Sequence, residues 1–165
     1  MQKKVIIGVS AFVGTNIPFI LKLLAYLLRF YSRTITSYSL EIHSQEWIVT
    51  TILKTRRNTI HIVYDVSCPE QIESLRKYLE GQVVEFIHIE TTWRECLQFL
   101  QKIGKVSKDI NPTQWRTANI DSVYQKNIVR CVDEINKTEC DAVYYCNEGN
   151  YLEPMAKLAE RILLR

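Results

Sequence analysis

The sequence predicts an α/β fold, a three-layer αβα sandwich built on a mostly parallel five-stranded sheet. Three observations carry that expectation. Short apolar, β-branched runs alternate with longer stretches of helical periodicity along the chain. The clearest run, Thr59–Val66, is apolar at consecutive rather than alternate positions, the pattern of a parallel strand covered on both faces. The first run, Val5-Ile6-Ile7, leads through a glycine-bounded turn, Gly8 to Asn16, into a strongly apolar helix. The first turn of such a helix leaves backbone N–H groups able to hold an anion.

Taken in order, Lys4–Val9 is the first strand and Asn16 to about Tyr31 the first helix. Asn16 is suited to cap it, and Pro18 falls in the first turn, where a missing N–H costs little. Lys22 and Arg29 share one narrow stripe and Phe19 to Leu28 is otherwise apolar, so the helix is expected to be buried on most sides or to meet a partner. Thr36–Ile42 is the second strand, and Ser44 caps a short helix ending near Leu53. Thr59–Val66 is the third strand, with Asp65 at its end. Pro69 opens a helix with Ile72, Leu75, Tyr78 and Leu79 on its apolar face, and Gly81 stops it. Val83–Ile89 is a strand, and Thr92–Ile103 and Ile120–Ile135 are helices separated by a polar segment. Ala142–Cys146 is the last strand, Asn147 to Asn150 a turn, and Tyr151–Leu164 an amphipathic closing helix.

The 165 residues suit a single domain, 1–165. A formal charge of +3 and one tight basic cluster, Lys54 to Arg57, give no footprint for specific nucleic-acid binding. The five cysteines are odd in number and scattered without zinc spacing, so no metal site and no disulfide framework are expected. They fit reduced thiols in an intracellular, cytoplasm-like compartment. No signal peptide is read at the N-terminus, and Ile17–Phe30 is too short and too charged for a membrane span. His43, His61 and His88 lie far apart, which favours core or surface positions over metal ligation.

The stretch from Asp65 through Pro69 and Glu70 to Gly81, followed by the strand Val83–Ile89, resembles the middle of the P-loop deoxynucleoside monophosphate kinases. In that family a strand ends in Asp-Val-Arg, a helix with a proline and an acid follows, then a glycine and a strand. The tail Asp141 to Asn150, running into Tyr151–Leu164, resembles the family's last strand, its Asn-Asp-Gly-Ser turn and its final helix. With Gly8 to Gly14 at the front, the similarity touches the beginning, middle and end of the chain in the family's order. The resemblance implies a P-loop NTPase-like fold, with Gly8, Gly14, Thr15, Asn16 and Asn147 as candidate nucleotide-binding positions and 91–120 as a lid-like segment. The opening loop is also similar to the glycine loop of Rossmann-type epimerases and reductases, with Glu41 near the expected ribose-binding acid. No Tyr-x-x-x-Lys pair follows, and only the kinase resemblance extends to the middle and end.

The departures from the kinase pattern bear on activity. A working P-loop needs a Lys on the β/γ-phosphates and a Ser or Thr on Mg²⁺. After Gly14 this chain has Thr15-Asn16-Ile17-Pro18-Phe19, so Ile17 stands at the Lys position and Pro18 or Phe19 at the metal-ligand hydroxyl. The Arg of Asp-Val-Arg is Ser67. The expectation is a degenerate kinase-like protein with no catalytic residues and no required cofactor, serving as a structural or interaction subunit. Its partner would be another protein or a second copy, met through the first helix or through exposed aromatics such as Trp47, Trp93 and Trp115. Two alternatives stay open. One is an active kinase using ATP and Mg²⁺ with Asp65, Arg94 and Arg116 in catalytic roles; the other is a nucleotide sensor without turnover. Asp65 itself is expected to cap the helix that follows it, in preference to holding Mg²⁺ through water.

Overall fold

In the computed structural model, the described residues are 4–11, 14–31, 34–55, 58–105, 107–109, 139–146 and 149–165. Five strands form one sheet: β1 Val5–Ala11, β2 Thr34–Ser39, β3 Thr59–Tyr64, β4 Val83–Glu90 and β5 Ala142–Tyr145. Their order is β2-β3-β1-β4-β5 and every pairing is parallel. The helices are α1 Ile17–Leu28, α2 Gln45–Lys54, α3 Pro69–Tyr78, α4 Trp93–Lys102 and α5 Leu152–Leu163. The fold is the three-layer αβα, P-loop NTPase-like arrangement. Strand β1 lies between β3 and β4, not beside β2 as in the dinucleotide-binding Rossmann order.

Alternate residues of each strand serve opposite layers, as a two-residue period requires. Val5, Ile7 and Val9 of β1 join Ile60, Ile62, Ile87 and Ile89 under α1 and α5. Ile6, Val63 and Phe86 point the other way, toward Ile48, Val49 and Ile52 of α2 and Ile72 and Leu75 of α3. Helix α1 contributes Ile17, Ile20, Leu24 and Leu28 to the first layer, each side chain contributing roughly 1.5–3 kcal/mol of transfer free energy. Helix α5 is tied to the sheet by polar contacts as well. Arg161 and Arg165 both pair with the buried carboxylate of Glu85 on β4, Arg165 at 2.9 Å.

Several sequence expectations are corrected. Strand β2 starts and stops earlier, and Leu40 to Ile42 form a turn. Strand β3 stops at Tyr64, so Asp65 lies outside the ladder. Tyr78 is exposed, while Leu79 just beyond the helix takes the buried position. Helix α1 buries one stripe rather than most of its surface, because only one side of it meets the sheet and α5. The helix expected at Ile120–Ile135 and most of the lid-like segment lie outside the described residues; within that segment, 93–102 form α4.

Candidate functional site

Ligands of open parallel sheets bind beyond the carboxyl ends of the strands, and two strand-to-helix junctions meet there in the centre of this sheet. The first joins β1 to α1. Strand β1 continues three residues past Gly8, which pairs with Val63 on one side and Phe86 on the other. Gly8 is therefore in the ladder and not in a turn, correcting the loop boundary. Its missing side chain admits the Phe86 ring, since a Cβ there would lie 2.3 Å from two ring carbons.

The described end of the turn, from Gly14 on, is tightly packed. Gly14 has φ 93°, and a Cβ on it would sit 2.6 Å from the Cys96 carbonyl oxygen of α4. Both its backbone angle and its space demand glycine. Thr15 is buried, with Oγ1 3.3 Å from Thr91 Oγ1 and 3.8 Å from Cys96 Sγ; Thr91 Oγ1 is 2.9 Å from the same sulfur. Burial pushes the Cys96 thiol above its usual range despite the two threonine hydroxyls, and burial with Glu95 nearby pushes Cys146 up to about 11. Neither is a thiolate at neutral pH, so neither is an activated nucleophile.

The donors of the first turn of α1 are all engaged. Ile17 N–H donates to the Thr15 carbonyl at 2.9 Å, Phe19 N–H to Asn16 Oδ1 at 3.2 Å and Ile20 N–H to the Asn16 carbonyl at 3.3 Å. Pro18 has no N–H. The Ile17 side chain, at the position a P-loop gives to Lys, is buried in the core layer under α1.

The second junction joins β3 to α3 and is polar. Asp65 has φ 61°, a left-handed conformation that costs a non-glycine residue roughly 1–2 kcal/mol. Ser39 Oγ donates to Asp65 Oδ2 and accepts the Glu41 N–H at 3.2 Å. Asp65 does not cap α3, correcting that expectation. The N-cap is Cys68, whose side chain makes no capping hydrogen bond to the helix, and Gln71 Oε1 reaches back to the Ser67 N–H at 2.8 Å. Burial, and then the negative charge of Asp65, raise the Glu41 carboxyl above its usual range, while Lys105 acts in the opposite sense. Among the described residues no group of His, Cys, Asp and Glu could hold a metal ion.

Two histidines are buried within the sheet. His88 Nδ1 is 2.8 Å from Ser10 Oγ, and His61 Nδ1 is 3.1 Å from the Tyr38 hydroxyl. Burial lowers both imidazoles to about 4, with the Lys4 charge adding to the effect on His61, so both are neutral core groups at neutral pH. His43 stacks on Trp47 at 4.0 Å on the surface.

The structure thus brings Gly14, Thr15 and Asn16 together against α4, and leaves Gly8 within β1 and Asp65 at the neighbouring junction. Arg94 is exposed on α4; Arg116 and Asn147 lie outside the described residues. Sequence reasoning missed Ser39 and Cys96. A serine closing β2 and a hydroxyl residue directly after β4 were the available signals, but their partners are distant in sequence. Cys68, Cys96, Cys140 and Cys146 form no disulfide, and no helix among the described residues is long and apolar enough to cross a membrane.

No protein-family profile matches the chain, and a search of curated proteins finds no match. Solved structures do match its shape. The protein APE1195 aligns over 99% of this chain and 97% of its own, with a TM-score of 0.62 and 12% identity. A Deinococcus radiodurans tunicamycin resistance protein aligns over 98% and 95%, with a TM-score of 0.55 and 10% identity. A gluconokinase from Sinorhizobium meliloti aligns over 99% and 98%, with a TM-score of 0.53 and 10% identity. At such identities the likeness is one of fold, the three-layer αβα, P-loop NTPase-like arrangement.

Proposed function

We propose that this chain is a P-loop-kinase-like protein that no longer transfers phosphoryl groups and serves as a structural or interaction subunit. One observation carries the reading: the first turn of α1 has no N–H left for a phosphate. Phosphoryl transfer relies on positioning and on charge stabilisation of the transferring group. Here the three N–H groups of that turn are spent on Thr15 and Asn16, and a buried isoleucine stands where a cation would. The packing of Gly14 and Thr15 on Cys96 supports the same conclusion, because opening a cradle there would mean moving α4 off the loop.

Isothermal calorimetry with ATP, GTP and deoxynucleoside monophosphates, each with Mg²⁺, tests this together with a coupled assay for ADP release. The expected result is no saturable heat at millimolar nucleotide and no turnover. Turnover of a deoxynucleoside monophosphate would overturn the proposal. Saturable binding without turnover would replace it with a nucleotide sensor.

A further inference from the structure

Helix α1 turns Ile17, Ile20, Leu24 and Leu28 inward, and its opposite side carries Phe19, Lys22, Tyr26, Arg29 and Phe30. Phe19, Tyr26 and Phe30 are 46, 57 and 78% exposed. The water-facing side of a helix is ordinarily polar, so three aligned aromatics there call for an occupant. The cations beside them have a fixed setting. Arg29 lies with its guanidinium carbon 3.5 Å from the centre of the Tyr26 ring and 4.2 Å from that of Phe30, and its Nη1 donates to the Tyr26 carbonyl at 2.7 Å. Stacking of this kind orders the side chain in advance and leaves its other N–H edges available to carboxylates. The first 40 residues contain no Asp or Glu, so nothing on α1 offsets Lys22 and Arg29.

The charge pattern selects the occupant. A second copy docked on this face would set Lys22 and Arg29 against their own counterparts. An anionic membrane would be a broad plane, and α5, packed beside α1, exposes Glu153 and Glu160 with one lysine, Lys157, which pairs with Glu153 at 3.5 Å. The favourable strip is one helix wide. We infer that the outer face of α1 docks an acidic amphipathic helix of a partner protein, its apolar residues on Phe19, Tyr26 and Phe30 and its carboxylates on Lys22 and Arg29. This rests on the reading of the chain as an interaction subunit.

Two synthetic helical peptides of about 18 residues, sharing one Leu/Ile face but bearing Glu or Lys on the polar face, test the inference by calorimetry against the intact protein. The Glu peptide is expected to bind saturably and more weakly as salt rises, and the Lys peptide to bind at least about tenfold more weakly. Tyr26→Ala, and separately the double variant Lys22→Glu/Arg29→Glu, should each reduce Glu-peptide affinity about tenfold or more. The charge-reversed protein should then prefer the Lys peptide. These positions are on the surface, so unchanged circular dichroism and melting temperature accompany the expected result, and Lys22→Gln/Arg29→Gln serves as the milder replacement should the reversal unfold the chain. Absence of Glu-peptide binding, or equal binding of both peptides, overturns the inference. So does a dimer seen by light scattering and dispersed by Tyr26→Glu, or sedimentation with phosphatidylserine/phosphatidylcholine vesicles that the charge reversal abolishes. Nucleotide turnover with intact peptide selectivity would sink the non-catalytic reading alone; absent peptide binding with no nucleotide binding would sink the docking alone.

Discussion

The β1–α1 and β3–α3 junctions occupy neighbouring places on the same edge of the sheet and are built in opposite ways. At the first, glycine takes the left-handed angle, the next hydroxyl is buried and the helix donors are consumed. At the second, an aspartate takes the left-handed angle, a serine hydroxyl holds it, and the following helix starts without a side-chain cap. The comparison teaches how two junctions on one sheet edge divide packing from polar contacts. The closed junction is optimised for packing, whereas the polar one keeps a strained residue and a raised carboxyl beside it. Strain without a packing reason belongs with function more often than with stability.

The largest effect lies in the sheet that carries both junctions. His61 and His88 have folded values of about 4 against an ordinary 6.5, so the fold holds their neutral forms. The unfolded chain takes up protons first as pH falls. Stability is therefore full above pH 6.5 and is lost progressively down to pH 4. At 1.36 kcal/mol per unit this is about 3 kcal/mol for each histidine, fully buried as both are. Urea denaturation at steps between neutral and acidic pH should show this loss, and His61→Gln should remove about half of the slope. Of the two, His61 is the less well satisfied, because its Nε2 has no hydrogen-bond partner among the described residues. A flat profile would mean that the two junctions stand on a more hydrated sheet than the packing indicates.

The next effect separates tight packing from backbone angle. Gly14→Ala meets both a positive φ and the Cys96 carbonyl, and should cost about 2–4 kcal/mol. Gly81→Ala has a similar φ of 89° but nothing within 4 Å of the new Cβ, so it should cost only about 1 kcal/mol. Equal midpoints in urea for the two variants would show that the first junction opens readily, contrary to a sealed loop.

Much of this architecture is legible in the sequence because it depends on local pattern. The continuous run Thr59–Tyr64, the cap at Ser44 and the proline at the start of α3 each declare an element without reference to distant residues. The site is less legible because its determinants cross the chain. Gly8 looks like the first glycine of a loop, and only Phe86, opposite it on β4, shows why a strand has a glycine there. That Ile17, Pro18 and Phe19 stand after Gly14 where the resemblance would place a Lys and a hydroxyl is plain in the sequence. The closure of the loop by Cys96 is not, since no spacing rule links a turn to a helix so far along the chain. Burial of α1 was overestimated for a related reason: apolar composition states what a helix could bury, and its neighbours decide which side it does bury.

The smallest effect tests whether the strain at Asp65 is structural. Asparagine tolerates the left-handed region nearly as well as aspartate, and its Oδ1 can still accept from Ser39 Oγ. Asp65→Asn should therefore change stability by no more than about 0.5 kcal/mol if geometry alone matters. It should also let the Glu41 carboxyl return toward its usual range, because the negative charge of Asp65 is the second cause, after burial, of its upward shift. Asp65→Gly relieves the φ cost but removes the hydroxyl's acceptor, two terms of about 1 kcal/mol that oppose each other, and should also be close to neutral. A stabilisation well beyond about 1 kcal/mol in either variant would identify Asp65 as a residue held against stability. The polar junction would then be the place to look for a retained ligand, and the contrast with the closed loop beside it would become one of function rather than of packing.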